Sequence, residues 1–245
     1  LLGRCDLALS GGVQGCVPAT ELMLFCGVDA MSHRDALRPF DKEADGTMLA
    51  EGVGIVVLKR RKDAERDGNR IYALVKSVGI ASDGRAKALM APRLEGGALA
   101  MKRAYEYAQI DPSTVALIEA HGTGIPLGDQ TEIGALRRTF GDRRGRYPTV
   151  AIGAVKSNVG HCRPASGIAG VIKATFALYH KILPPTVNCD TPSLLLELEQ
   201  TPFYINTEAR PWIHGDPRTP RRAGVNALGF GGIDSHCILE EYPSN

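Results

Sequence analysis

"VALIEAHGTGIPLGDQTE", residues 115–132, runs an apolar segment into His121, then a small-residue turn, then an acidic stretch suited to opening a helix. Strand, turn and helix in that order form the repeating unit of an α/β sheet. The same order returns downstream. "TVAIGAVKSNVGH" (149–161) reads as a strand ending in a polar turn, and "ASGIAGVIKATFALYHKI" (165–182) is apolar nearly all round, as a core helix is. Residues 128–141 read as a helix with acids in the first turn and an Arg pair near the end, as the helix dipole favours.

Working outward, "EGGALAMKRAYEYAQI" (95–110) places Ala98, Met101, Tyr105 and Ala108 at helical spacing, with Lys102, Arg103 and Glu106 opposite. "EGVGIVVLKR" (51–60) and "IYALVKSVGIASDG" (71–84) read as strands, and "RKDAERDGNR" between them as a helix end and turn. The opening "LLGRCDLALSGGV" reads as a helix end, a short strand and a Gly-Gly turn. With no start Met, that opening is expected to be the cut edge of a longer protein. A Pro-rich connector covers about 184–220, and a hairpin of two strands about 222–242 closes the chain.

The chain has 245 residues, 44% hydrophobic and 23% charged, the balance expected of a soluble globular protein. A net charge of +2 gives no field that would favour nucleic acid. The local bunches "RRTFGDRRGR" (137–146) and "PRTPRR" (217–222) read as solvated loops. No apolar run approaches the roughly 20 residues of a membrane span. The six cysteines, Cys5, Cys16, Cys26, Cys162, Cys189 and Cys237, form no CxxC pair and no zinc spacing. Without a signal-peptide pattern they are expected to be reduced thiols, packed as small buried hydrophobes, in a cytoplasmic protein.

Ligands in α/β sheets sit beyond the carboxyl ends of strands. Three loops of that kind, 119–129, 156–161 and 229–236, carry unusual polar residues. The first offers Glu119, His121, Thr123 and Asp129; the second offers Lys156, Ser157, Asn158 and His161. Two neutral imidazoles meeting at one sheet edge could each donate an N–H to one oxygen, and so stabilise an enolate. Lys156 with Asp129 and Glu132 could form an ion pair behind them that sets ring orientation. Spacing alone leaves each histidine equally open to a loop-edge structural role. A nucleotide cradle does not fit, since neither GxxxxGK[ST] nor a helix-opening GxGxxG is present. His236 and His180 read as structural, and His33 and His214 as exposed.

"EAHGTGIPLGD" and "KSNVGHCRPASG" resemble the two histidine motifs of the β-ketoacyl synthase family. "RPFDKEADGTMLAEGVGIVVLKR" (38–60) and "GVNALGFGGIDSHCILEEY" (224–242) resemble that family too, in the same order. "MAPRLEGG" and "TPFYINTEARPWIHG" are most similar to ketosynthase domains of iterative polyketide, polyunsaturated fatty acid and enediyne-type synthases. The resemblance implies a thiolase-like layered α-β-α-β-α fold. Residues 1–62 would be the end of its N-terminal half and 63–245 its C-terminal half. It also implies a decarboxylative Claisen condensation of a malonyl thioester with an enzyme-bound acyl thioester.

In that scheme His121, His161 and Lys156 are the catalytic set, the histidines holding the malonyl carbonyl. Glu119, Asp129, Glu132 and Asn158 stand behind them. Thr123 matches a contact to the phosphopantetheine arm, and Phe230, Gly231 and Gly232 match a gate loop at the acyl pocket. No cofactor is expected in the domain and no metal; substrates arrive on the phosphopantetheine of acyl carrier protein. Implied partners are that carrier, a second copy in a homodimer, the other half of the fold and further synthase domains.

The sequence departs from the family at Ile125, where a second Thr is usual, and at Leu228, Ile233 and Asp234, where Phe, Thr and Asn are usual. The family's nucleophilic Cys segment has no counterpart here, so the isolated chain is expected to be inactive. The alternative reading is a non-catalytic ketosynthase-like subunit, of chain-length-factor type, that dimerises with an active partner.

Overall fold

The computed structural model describes residues 5–84, 92–213, 218–229 and 231–243. Two strands come first, β1 (Leu7–Gln14) and β2 (Gly52–Lys59), separated by helix α1 (Ala19–Gly27) and a long irregular segment. They pair antiparallel from Leu7 opposite Lys59 to Gln14 opposite Gly52. The Gly-Gly turn expected at residues 11 and 12 is not a turn: β1 runs straight through it. These glycines serve close approach instead. A side chain on Gly11 would strike the carbonyl oxygen of Gly54, and one on Gly12 that of Pro164.

The charged segment after β2 forms its own short helix, α2 (Arg61–Arg66), braced by Arg61–Glu65 and Arg60–Asp63 ion pairs. Next come β3 (Leu74–Ser82), α3 (Leu94–Ala108), β4 (Leu117–Glu119) and α4 (Pro126–Phe140). α4 starts with Pro126 in its first turn, where a missing N–H costs nothing, and stops at Gly141 with φ +78°. β5 (Val150–Gly153), the one-turn α5 (Lys156–Val159) and α6 (Ser166–His180) follow.

The connector at 184–220 is more structured than its prolines suggested. β6 (Ile182–Leu183) pairs with β8 (Arg210–Pro211), and β7 (Phe203–Ile205) joins the main sheet beside β5. The two final strands are β9 (Arg222–Leu228) and β10 (Ile233–Glu240), the hairpin read from sequence.

The main sheet has the order β3-β10-β9-β4-β5-β7. β9, β4, β5 and β7 are mutually parallel, so their carboxyl ends share one edge. On the central strands side chains alternate between two buried layers, as the period of a strand requires. Ile118, Ile152 and Ile238 face α3 and α4, with Met101, Tyr105 and Leu136. Leu117, Ala151 and Leu239 face α6, with Ala174 and Leu178.

α6 is not buried all round, as its sequence suggested. Gly170, Ala174, Ala177 and Leu178 meet the sheet, while Phe176 and Tyr179 form an exposed aromatic cluster with Tyr72. The β1–β2 ribbon likewise exposes an apolar row that includes Leu9 (70%), Ile55 (58%) and Val57 (62%). The cysteines divide: Cys162 and Cys189 are buried and Cys237 is half-buried, but Cys5, Cys16 and Cys26 are exposed, against the expectation of buried thiols. Among the described residues no helix is long and apolar enough to cross a membrane.

Candidate active site

β4 ends in Glu119, and the chain turns through Gly122 (φ +41°) and Gly124 (φ +74°) before entering α4. A side chain on Gly122 would stand 2.6 Å from Ala154 Cβ, so this loop and the one after β5 touch. The turn leaves its amide hydrogens without ladder partners, and two carboxylates of α4 accept them. Glu132 takes the N–H of His121 (2.7 Å) and of Gly122 (2.9 Å), and Asn226 on β9 donates to it at 2.7 Å. Asp129 takes those of Thr123 (3.0 Å), Gly124 (3.3 Å) and Phe40 (2.8 Å). Burial pushes the Asp129 carboxyl up to about 7 against the pull of these donors.

The expected ion pair of Lys156 with Asp129 and Glu132 is therefore not formed; both acids are committed to the backbone. Lys156 is buried at the start of α5, where its Nζ donates to the carbonyl oxygen of His121 at 2.5 Å and faces Nδ1 of that ring at 3.4 Å. An ammonium has only hydrogens to offer, so Nδ1 accepts and the proton of the neutral ring sits on Nε2.

His161 arrives after Gly160 and is held between Met48 and Ala50 by main-chain bonds of 2.7 and 3.1 Å. Its Nδ1 accepts the N–H of Arg163 at 3.1 Å and stands 2.8 Å from the Ser166 hydroxyl. A backbone N–H cannot accept, so this ring too carries its proton on Nε2.

The two rings lie with centroids 5.5 Å apart and planes at 85°. Burial, and then the charge of Lys156, hold His121 well below the ordinary range; the same causes bring His161 down to about 3. The loops thus bring together two neutral imidazoles, each with an Nε2–H unused by the protein among the described residues. Such a pair can donate to an oxygen that gains negative charge.

Glu119 lies behind them, buried, and accepts the N–H of Val155 at 2.5 Å. Thr123 is buried in the turn, its hydroxyl 3.4 Å from the N–H of Ile125. Ile125 holds the N-cap position of α4 without a capping side chain, a bond that the usual Thr could make. Asn158 does not support the histidines: α5 turns it outward, where among the described residues it meets only the Ser157 hydroxyl at 3.4 Å.

At the third loop Gly231 (φ +92°) and Gly232 (φ +74°) form the turn between β9 and β10, and Phe230 lies outside the described residues. Asp234 is buried beside Asp83; burial first, and then that neighbour, push its carboxyl up to about 7. His236 is structural as expected, lodged between Asn226 (2.6 Å) and Tyr105 (3.3 Å). His33 is exposed as expected, His180 is exposed against Phe176 and Tyr179 rather than packed inside, and His214 lies outside the described residues. Among the described residues no cluster of three or more His, Cys, Asp or Glu could hold a metal.

The sequence reading missed Ser166, Arg163 and Asn226. Ser166 carried a usable signal, a hydroxyl opening a helix five residues after the histidine. Arg163 acts through its backbone and left none.

Two family models match. Residues 1–64 match "Beta-ketoacyl synthase, N-terminal domain" and residues 72–190 match "Beta-ketoacyl synthase, C-terminal domain". The chain is 40% identical over 246 residues to a polyunsaturated fatty acid synthase subunit of Thraustochytrium sp., covering 98% of this chain and 9% of that protein. It is 41% identical over 246 residues to a phenolphthiocerol/phthiocerol polyketide synthase subunit of Mycobacterium tuberculosis, covering 100% of this chain and 16% of that one. Among solved structures, the ketosynthase from module 6 of the bacillaene synthase of Bacillus subtilis 168 superposes with TM-score 0.92 at 39% identity, over 97% of this chain and 43% of that one. An oxazolomycin ketosynthase domain from Streptomyces albus superposes with TM-score 0.93 at 34% identity, over 99% and 43%.

Proposed function

This chain belongs to the β-ketoacyl synthase family and shares its thiolase-like layered fold, and from that premise we propose that it supplies the histidine-bearing part of a condensing site. The reaction is decarboxylative Claisen condensation in polyketide or fatty acid elongation. Residues 1–62 would close the N-terminal half of the fold and 63–245 form the C-terminal half. The observation that carries the reading is the pair of fixed tautomers. Both Nδ1 atoms are acceptors for protein donors, so both Nε2–H groups remain for a ligand oxygen.

Malonyl thioester would place its carbonyl oxygen against these two donors. The bond to the carboxylate breaks and carbon dioxide leaves. The electron pair moves onto the oxygen as an enolate, and the carbon attacks the acyl thioester, expelling the cysteine thiolate that carried it. Donors fixed beforehand in a dry site stabilise the enolate without reorganising. Neutral rings suit this task, because the low pKa of each keeps it uncharged through physiological pH.

The cysteine of that reaction is not one of the six here. Cys162 neighbours His161 in sequence, but its thiol donates to the Glu51 carbonyl at 3.4 Å and burial raises its pKa. A thiol in that state is a weak nucleophile. Thr123 would line the phosphopantetheine arm of an acyl carrier protein, and the turn of Gly231 and Gly232 would gate the acyl pocket. The working unit would be a homodimer within a larger cytoplasmic synthase, its substrates borne by the carrier and no cofactor held in this domain. A partner subunit that only shaped a tunnel would have no use for two histidines with set tautomers.

The deciding experiment measures carbon dioxide release from malonyl-carrier by the full-length synthase. His161→Ala is expected to lose roughly 10²–10³-fold in kcat, the usual effect of removing one oxyanion donor. A near-normal rate would sink the assignment.

A further inference from the structure

We propose that Lys173, which none of the site motifs includes, is a positioning residue of the histidine site, acting through Glu119. The inference rests on the condensing-site reading and extends it to a residue of α6. Its basis is a buried ion pair with a slot shaped to hold it.

Glu119 is 2% exposed, and the side chain of Lys173 14%. Nζ of Lys173 lies 2.8 Å from Oε2 of Glu119, a buried ion pair. Two glycines make the room. A side chain on Gly153 would stand 3.2 Å from that Nζ and 3.1 Å from the Thr186 hydroxyl, and one on Gly170 would stand 3.1 Å from Cγ of Glu119. Oε1 accepts the N–H of Val155, the residue before Lys156. One carboxylate therefore joins the end of β4, the start of α5 and α6.

A carboxylate so deep is costly when ionised, and burial is the main influence raising its pKa. Lys173 is the largest of the influences that oppose this; the N–H of Val155 and the charge of Lys156 add to it. Asp129 and Glu132 of α4 act on Lys156 as well. Without Lys173 the carboxylate is left with Lys156 as its cation. The unbalanced carboxylate then draws that ammonium away from His121. Its departure unsettles the ring whose Nδ1 faces Lys156. Lys173 touches no reacting atom; its effect belongs to kcat rather than to carrier binding.

The test uses the full-length synthase, with malonyl-carrier decarboxylation measured across pH for Lys173→Met, Lys173→Arg and the double variant Lys173→Met/Glu119→Gln, beside His161→Ala. Lys173→Met is expected to lose roughly 10- to 100-fold in kcat at unchanged KM, the scale of a small misplacement at a distance. The loss should shrink at low pH, because protonation of the uncompensated Glu119 releases Lys156 to His121 just as the neutral amide does. Lys173→Arg should keep most of the rate. The double variant should regain much of the loss, since the neutral amide that replaces the carboxylate still accepts the Val155 N–H and needs no cation; it also keeps the test open if Lys173→Met folds poorly. A wild-type rate and pH profile for Lys173→Met, or a double variant no faster than Lys173→Met, overturns the inference while His161→Ala stays deeply impaired. A near-normal rate for His161→Ala overturns the condensing-site reading itself, and this inference with it.

Discussion

Lys156 reaches across from α5 to the main chain of His121, 2.5 Å from its carbonyl oxygen, and stands 3.4 Å from Nδ1 of the same residue. A single ammonium thus fixes both the loop and the ring. Its charge is also one of the influences that hold the His121 pKa down. Removing that charge in Lys156→Met lets the pKa rise, and the acid limb of the decarboxylation profile should move up with it. We expect kcat to fall roughly 10²-fold, as for a lost electrostatic group. Lys156→Arg should hold the acid limb near its original position. An unmoved limb in Lys156→Met would count against the coupling.

His161 has two partners at Nδ1, the Arg163 N–H and the Ser166 hydroxyl. Ser166→Ala removes one and leaves the other to hold the tautomer. The rate should fall by less than about tenfold, the worth of one ordinary hydrogen bond. Steady-state kinetics decide this; a loss as deep as that of His161→Ala would mean the hydroxyl has a further task.

Glu132 accepts from His121, Gly122 and Asn226 inside the protein. Glu132→Ala strands those donors, each at a cost of about 1–3 kcal/mol. Glu132→Gln keeps one acceptor and should fall between wild type and Ala. Chemical denaturation of the intact ketosynthase domain would show the order, and an Ala variant as stable as wild type would contradict it.

Asp234 should make stability depend on pH in the direction opposite to that of a salt-bridged carboxylate. Its folded pKa, about 7, lies above the ordinary 3.8, so the folded state binds the extra proton. The contribution is therefore fully present below about 4 and is lost as pH rises through about 7. Asp234→Asn carries no proton to lose and should flatten that slope, raising the melting temperature at pH 8 more than at pH 5. Equal shifts at both pH values would exclude the carboxyl as the cause.

Leu9, Ile55 and Val57 form part of an apolar row on an open ribbon. Patches of that kind drive association. The 245 residues alone are expected to aggregate or to need a covering chain. Light scattering and calorimetry test this; a sharp cooperative melt as a monomer would be the contrary result.

Much of this was legible in sequence because strands and helices of ordinary length carry their own periodicity. Residues 115–132 announced β4, its turn and α4, and the paired motifs announced His121 and His161. β7 was invisible because three residues beside Pro202 are too few to show alternation. The acids were recognised but given the wrong partners. Asp129 and Glu132 looked like mates for a lysine, whereas the stronger demand came from amide hydrogens turned inward by Gly122 and Gly124, which no side-chain pattern records. Lys173 reads in sequence as one more residue of a core helix, since its partner Glu119 lies on β4 and the room beside its ammonium is left by Gly153 on β5.

The contact of Gly12 with the Pro164 carbonyl gives the ribbon a mechanical meaning. Pro164 follows His161 by three residues, so β1 and the histidine loop are pressed together with no side chain between them. A single methyl at residue 12 would act as a wedge whose thickness is passed to the imidazole. Gly12, which makes no hydrogen bond to either histidine ring, is in effect the gauge block against which the histidine loop is set.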